Sequence, residues 1–283
     1  MNRNAILRKL ETELTVAGKA RRTVESYVAC ARDFIAHAGV SGARLRSEHI
    51  ARFLEHLSDK RCVAPSTLKV YVYAVRFLFE VTLKRSALVA NLKAPRVTPP
   101  PVVVLSGGEV VKLLESFRSR TQRTIACLLY GTGLRISEAL AVTVHDIDAA
   151  RGVIVVPKSK VRRPRVARLS PALLTELRSY WRVTRPPGPL LFPGLDARVP
   201  LNQATVQHAF KKAGAAAGLS KPVTPHVLRH TYATHLLEAG TDIHTVQLLL
   251  GHANLSATLR YLHVSTAHLA GRPAPLHPLL GTH

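Results

Sequence analysis

A proline-rich stretch in the first half of the sequence sets the strongest limit on how this chain folds. Residues 94–105, APRVTPPPVVVL, contain Pro95 and then three consecutive prolines. A helix cannot run through such a stretch, because proline lacks a backbone N–H and its ring clashes with the preceding turn. A segment of this composition acts as a semi-rigid linker. The sequence therefore predicts two domains, over residues 1–93 and 106–270, joined by the linker 94–105.

The first part of the chain has the pattern of a small helical bundle. Its apolar residues recur at the spacing that places them on one face of a helix. Gly39 is suited to end the second helix, and Ser66 is suited to cap the start of the fourth. We predict four helices, which bury Ile6, Leu10, Leu14, Val24, Tyr27, Val28, Ala31, Phe34, Ile50, Phe53, Leu54, Leu57, Leu68, Tyr71, Val72, Val75, Leu78 and Phe79.

The second part predicts more helices and one small antiparallel β element. The segments VIVV (153–156) and RVARL (165–169) have the composition of strands, and the turn PKSKVRRP joins them. Ser106 and Glu109 form a capping box, in which each side chain bonds the other's backbone N–H. Further helix starts are predicted at Ser170, Asn202, Thr224 and either Thr241 or Asp242. The proline-rich tail, 271–283, is predicted to be irregular.

The charge of the chain limits its partners. The 40 lysines and arginines exceed the 17 acidic residues by 23. Both parts are basic: 18 basic and 8 acidic residues precede residue 97, and 22 and 9 follow. Such a surplus needs a polyanionic partner, with DNA or RNA as the leading candidates. A membrane is less favoured, because no apolar run reaches the ~18 residues of a spanning helix.

Cysteine usage and the first residues predict a cytoplasmic protein. Cys30, Cys62 and Cys127 are scattered without CxxC spacing, which is typical of reduced thiols and disfavours zinc or a disulfide framework. The opening segment, MNRNAILRKLETELTVAGKA, lacks the apolar core of a signal peptide.

Five side chains in the second part form a set that suits attack on a phosphodiester. They are Arg135 in GTGLRISEAL, His226 and Arg229 in HVLRH, His252 in LLGHAN and Tyr261 in TLRYLH. Guanidiniums hold non-bridging phosphate oxygens, imidazoles transfer protons, and a phenol is a nucleophile. The same set would make a poor metal site.

Each of these residues also has a simpler structural interpretation when it is taken alone. His226 and Arg229 share a helix face and could be a surface pair. His252 could be structural, and Tyr261, flanked by leucines, could belong to the core. Glu138 could form a surface salt bridge with Arg135, three residues before it. The functional interpretation depends on the order in which the groups occur within a strongly basic chain of two parts.

That order resembles the tyrosine recombinase (phage integrase, Xer-like) family. GTGLRISEAL is similar to the first arginine motif of the family, and HVLRHTYATHLLEAGTDIHTVQLLLGH is similar to its second box. The run to TLRYLH carries the nucleophile, and the spacing of 23 and then 9 residues fits the family. SYVACARDFIAHAG and STLKVYVYAVRFLFE resemble the helical core-binding domain. The resemblance covers nearly the whole chain.

The resemblance implies a fold and a set of roles. It implies a mostly α fold of two domains, in which a SAM-like core-binding bundle precedes the catalytic domain of DNA breaking-rejoining enzymes. Tyr261 would attack the scissile phosphate and form a 3′-phosphotyrosyl link. Arg135 and Arg229 would stabilise the transition state, His226 would accept or orient the tyrosine proton, and His252 would hydrogen-bond the phosphate.

A lysine in the basic hairpin turn would protonate the leaving 5′-oxygen. When the hairpin of the family is matched to this sequence backward from the second strand, its lysine falls on Lys160. When it is matched forward from the first strand, the lysine falls closer to Lys158. We choose Lys160. In relatives a C-terminal helix packs into a neighbouring subunit, but here the segment after Tyr261 runs into prolines.

The leading hypothesis is a site-specific DNA recombinase or integrase that uses neither metal, nucleotide nor other cofactor. Its partner would be double-stranded DNA, on which four copies would assemble at paired sites, the free protein being a monomer or dimer. A type IB topoisomerase-like nicking and closing enzyme is the first alternative. A DNA-binding accessory protein without catalysis is the second, and the intact set of five groups speaks against it.

Overall fold

The computed structural model describes residues 2–98, 100–156, 165–252 and 254–262. Its backbone divides into two compact units on either side of the bond between Pro100 and Pro101. The predicted hairpin lysines, Lys158 and Lys160, and the predicted irregular tail lie outside the described residues.

The N-terminal unit contains the four predicted α-helices. The third and fourth helices each continue into a π-helical turn, at His56–Lys60 and Leu78–Thr82. At the centre of the core, the ring of Phe34 packs edge-on against Phe53 and Phe79, with centroid distances of 5.4 and 5.9 Å. The helices are α1 (Arg3–Val16), α2 (Arg21–Ala38), α3 (Ser47–Glu55) and α4 (Pro65–Phe77).

The helix ends of this unit confirm one prediction and contradict another. Gly39 ends α2 in a left-handed conformation with φ of 69°, as predicted. Helix α4 instead begins at Pro65, behind Ala64, with no side-chain cap. Proline suits the first helical position, because its fixed φ fits the helix and its missing N–H would have no partner there. The predicted Ser66 cap is therefore wrong, since this residue is already inside the helix.

The C-terminal unit is mostly helical, as predicted. Its helices are α5 (Gly107–Glu115), α6 (Arg120–Thr132), α7 (Ile136–Leu140), α8 (Pro171–Thr184), α9 (Gln203–Ala216), α10 (Pro225–Glu238), α11 (Ile243–Leu250) and α12 (Ser256–Leu259). Helix α6 packs against both α8 and α10, and α11 packs against α10 and the strand that begins at Arg165. The main core lies around α6, and a smaller apolar cluster joins α10 and α11 to Tyr261.

The β element is a three-stranded antiparallel sheet in the order β1-β2-β3. Strands β2 (Val153–Val156) and β3 (Arg165–Arg168) are the predicted pair, and β1 (Ile147–Asp148) adds a third. The register joins Val156 to Arg165, so these residues flank the hairpin turn. Two residues are too few to show an alternating pattern, which is why the sequence did not predict β1.

Side-chain caps fix where the helices of this unit begin. Ser106 and Glu109 form the predicted capping box at α5, with bonds of 3.2 and 2.7 Å. At α11 the cap is Asp242 rather than Thr241, and its carboxylate accepts from the backbone N–H groups of His244 and Thr245. Three further caps confirm the prediction, namely Ser170, Asn202 and Thr224.

Candidate active site

A glycine turn sets the position of Arg135 at the start of α7. Gly133 ends α6 with φ of 63°. A side chain there would place its Cβ 2.4 Å from the ring of Tyr232 and 2.9 Å from Leu250. Only glycine allows this approach, because the neighbours are packed core groups. The turn therefore carries Arg135 to the end of α11, close to α10.

The carboxylate of Glu138 bridges two guanidiniums. Its Oε1 accepts from Arg135 Nη1 at 3.0 Å, and its Oε2 accepts from Arg165 Nη2 at 2.8 Å. Oε2 also accepts from the Arg135 backbone N–H at 2.9 Å. Burial alone would raise the pKa of Glu138, but the Arg135 N–H and both guanidiniums outweigh burial and hold that pKa below its ordinary value.

This bridge differs from the surface salt bridge that the sequence suggested for Arg135 and Glu138. The side chains of Arg135, Glu138 and Arg165 are only 21%, 15% and 13% exposed. Arg165 is the first residue of β3, directly after the hairpin turn. The bridge therefore ties one end of the hairpin to Arg135.

Arg229 is a buried cation held by backbone oxygens. It is 3% exposed and donates to the carbonyls of Gly133 and, at 2.7 Å, of Leu250. Burial and the nearby Arg135 guanidinium lower the pKa of Arg229 to about 9, so it stays protonated at neutral pH. Carbonyl dipoles offset only part of a buried charge, so an anion that entered here would be bound strongly.

The C-terminal end of α11 gathers the three arginines. Leu250 O accepts from both Arg135 and Arg229, and Leu249 O accepts from Arg165. These carbonyls lie at the negative end of the helix dipole, which favours cations.

The glycine after α11 is required by this arrangement. Gly251 has φ of 61°, and a Cβ there would lie 2.5 Å from Cδ and Nε of Arg165. The LLGH motif thus needs glycine for two reasons, its left-handed backbone and its contact with an arginine.

His226 lies in the first turn of α10, whose N-terminus is capped by Thr224. The residue is exposed overall, but the atoms packed around its imidazole lower its pKa, and Arg229 and Arg135 lower it further. A neutral imidazole beside two guanidiniums can accept a proton at neutral pH.

Tyr261 is buried beside these groups. It is 1% exposed, and its ring is stacked on that of His252 at 6.3 Å between centroids. His252 Nδ1 lies 2.8 Å from the hydroxyl of Thr258. Burial raises the pKa of Tyr261, although the charges of Arg229, Arg260 and Arg135 act in the opposite direction.

The hydroxyl of Tyr261 lies 2.8 Å from Nδ1 of His230, a residue to which the sequence analysis gave no role. A signal was present, because His230 follows Arg229 and lies four residues after His226, on the same helix face. The structure thus brings the five predicted residues together, namely Arg135, His226, Arg229, His252 and Tyr261. To these it adds His230, Glu138 and Arg165. Among the residues it describes, no group of three His, Cys, Asp or Glu could hold a metal ion.

Comparison with known proteins identifies both parts of the chain. Residues 104–268 match the model of the phage integrase family, and residues 6–87 match the phage integrase N-terminal SAM-like domain. A Sinorhizobium fredii protein assigned to the integrases/recombinases is 38% identical over 280 residues, covering 95% of this chain and 91% of that protein. Tyrosine recombinase XerA of Pyrococcus furiosus is 34% identical over 274 residues, covering 94% and 92%.

Solved structures agree with this assignment. The crystal structure of XerA recombinase covers 96% of this chain and 99% of its own, with a TM-score of 0.56 and 26% identity. The fold is also that of a lambda integrase (75–356) dimer bound to a COC′ core site, with a TM-score of 0.75, 21% identity and coverage of 97% and 98%. The chain belongs to the phage integrase family, the tyrosine recombinases.

Proposed function

We propose that this protein is a site-specific DNA recombinase that cuts and rejoins DNA through a 3′-phosphotyrosyl bond at Tyr261. One observation carries the proposal. The charges of Arg229 and Arg135 both act on Tyr261, and Arg229 is a buried guanidinium that donates to backbone carbonyls. A phosphate is an anion that two guanidiniums can hold, and a phenol is a nucleophile toward phosphorus.

The reaction we propose conserves atoms and charge. The Tyr261 oxygen attacks the phosphorus, the bond to the 5′-oxygen breaks, and the tyrosine proton passes to His226. A hairpin lysine, Lys160 or else Lys158, protonates the leaving 5′-oxygen. Arg135 and Arg229 bind the non-bridging oxygens, where charge increases in the transition state. His252 donates a further hydrogen bond to the phosphate.

This reaction uses no external energy source. The phosphotyrosyl bond keeps the energy of the phosphodiester, and the 5′-hydroxyl of a partner duplex can attack it in the reverse sense. Cleavage and ligation are then close to isoenergetic, so the assembly of the complex sets the direction. We propose a homotetramer on paired sites, with a core-binding role for residues 1–93 and a catalytic role for residues 106–270.

The substrate we propose is double-stranded DNA, and the location is the cytoplasm, where that DNA lies. Both sides of residue 97 carry a surplus of basic residues, ten before it and thirteen from it onward. Phosphate contacts from each of the two parts would add to the affinity for a duplex. In the described residues, no helix has the length and apolar character to cross a membrane.

Trapping the covalent intermediate tests the proposal. The protein is expressed beside its native flanking DNA, reactions are stopped with detergent, and protein-linked DNA ends are mapped, with Tyr261→Phe in parallel. The proposal predicts 3′-linked adducts at discrete sites that are absent in the variant. Scattered adducts would indicate a topoisomerase-like activity. DNA binding without any adduct would indicate an accessory protein.

A further inference from the structure

Tyr261 is in a position from which it cannot attack DNA. Its side chain is 1% exposed and belongs to the apolar cluster between α10 and α11. In-line attack needs the phenolic oxygen about 3–3.5 Å from phosphorus. A phosphate cannot come that close to an oxygen enclosed in this way. The tyrosine must therefore move toward the solvent before cleavage.

Among the described residues, the imidazole of His230 holds the hydroxyl of Tyr261 in this position. His230 Nδ1 lies 2.8 Å from the phenolic oxygen, and the two ring centroids are 5.5 Å apart. His230 projects from the middle of α10, which packs against both α6 and α11. A contact from such a well-anchored helix can hold the tyrosine in a fixed place.

The charge states of the two groups decide what this contact does. Burial, with Arg260, His226 and Arg229, lowers the pKa of His230 to about 4. Burial raises the pKa of Tyr261 above its ordinary 10.0. At neutral pH the phenol therefore donates and the neutral imidazole accepts. The difference between these pKa values makes the equilibrium constant for proton transfer from Tyr261 to His230 about 10⁻⁶ or less. In this position His230 therefore holds the tyrosine without activating it.

We propose that His230 is a positioning residue that keeps Tyr261 withdrawn until DNA is bound. This proposal rests on the proposed function, in which Tyr261 is the nucleophile. A phosphate bound by Arg135 and Arg229 would give the released phenol a new position next to His226. The nucleophile would thus exchange one imidazole for another, and cleavage would be coupled to occupation of the arginine site.

Substitution of His230 separates the holding contact from simple packing. His230→Leu fills the space but offers no acceptor, which removes the partner that the buried Tyr261 hydroxyl has among the described residues. From the cost of such a group, we expect the released form to gain roughly 5- to 150-fold in population. His230→Asn is the matched control, because its amide oxygen can occupy the place of Nδ1 and accept the same hydrogen bond.

The position of the nucleophile can be measured without DNA. With 3-fluorotyrosine at position 261, the ¹⁹F resonance reports buried and exposed forms in the full-length protein. We expect a new exposed resonance in His230→Leu and a wild-type spectrum in His230→Asn, with thermal melts confirming that both variants are folded. A wild-type spectrum in folded His230→Leu would overturn the proposal, and so would an exposed resonance already dominant in the parent protein.

Cleavage of a nicked duplex that carries the mapped site gives a second readout. We expect single-turnover cleavage by His230→Leu to be at least as fast as by the parent, because release no longer breaks a hydrogen bond. A tenfold or greater loss in His230→Leu, with retained DNA binding, would mean that His230 supports the reaction and would overturn the proposal. A parent protein that forms no adduct would instead reject the proposed function, which separates the two failures.

Discussion

Replacing Glu138 by glutamine would test whether the bridge between the arginines supports catalysis. The change keeps the shape but removes the charge that Arg135 and Arg165 share, and it places an NH₂ group where one of them donates. Each charged hydrogen bond is worth about 1.5–3 kcal/mol, and glutamine retains one acceptor. The three side chains of the bridge are only 13–21% exposed, so water cannot replace the lost bond fully. We therefore expect Glu138→Gln to lower the free energy of unfolding by about 2–4 kcal/mol.

The effect on cleavage should exceed the effect on the fold. A shift of about 1 Å in a group that binds the reacting phosphate costs on the order of 10²-fold in rate. We expect a loss of that size in single-turnover cleavage, measured where urea titration shows that the variant is folded. DNA affinity should change little, because Arg135 and Arg165 are only two of the chain's 40 lysines and arginines.

Glu176→Gln provides the matched control. The carboxylate of Glu176 accepts two bonds of 2.9 Å from Arg123 and one of 3.0 Å from Thr124, away from the arginine site. We expect this variant to lose stability but to cleave DNA at the parent rate. Parent-like cleavage by Glu138→Gln, or an equal loss of cleavage in Glu176→Gln, would show that the bridge does not support catalysis.

Four further predictions follow from the same contacts. Gly251→Ala should lose about 1–3 kcal/mol of stability in urea titrations and should also slow cleavage, because its Cβ would displace Arg165. In the control Gly218→Ala, where φ is 66° and the surrounding space is open, only the cost of backbone strain should appear. Folding lowers the pKa of His230 from 6.5 to about 4, so its neutral form contributes stability that is complete above pH 6.5 and is lost as the pH falls toward 4. His230→Asn should therefore lose up to about 3 kcal/mol less of its free energy of unfolding than the parent protein between those pH values, as measured by urea titration. The logarithm of DNA affinity should fall steeply with the logarithm of salt concentration, by about 0.9 per phosphate contact, and a flat response in filter binding would contradict DNA binding through phosphates. Lys160→Ala should cleave slowly at normal DNA affinity, and full activity would remove Lys160 from the mechanism.

Local signals in the sequence predicted much of the fold. Helix starts at Ser106, Asn202 and Thr224 were correct, because a capping side chain satisfies N–H groups of its own helix and needs no distant partner. The strands β2 and β3 were also predicted from composition. The error at Ser66 arose from competition between two local signals, and Pro65 prevailed.

Only part of the candidate site could be predicted from the sequence. Arg135, Arg229 and Tyr261 stand in motifs with fixed spacing, so the resemblance to a family could select them. The bridge from Glu138 to Arg165 joins α7 to β3, and the bond from His230 to Tyr261 joins residues 31 apart in sequence. Spacing could place His230 on the helix face that carries His226, but it could not predict either contact, because both depend on how α7, β3, α10 and α11 pack together.

Identifying the residue that becomes bound to DNA would show whether Tyr261 is the nucleophile. The covalent adduct is digested with nuclease and protease, and mass spectrometry locates the nucleotide on the protein. We expect a nucleotide joined through its 3′-phosphate to the Tyr261 oxygen, with a free 5′-hydroxyl on the other DNA end. A nucleotide on any other residue, or one joined through a 5′-phosphate, would contradict this expectation.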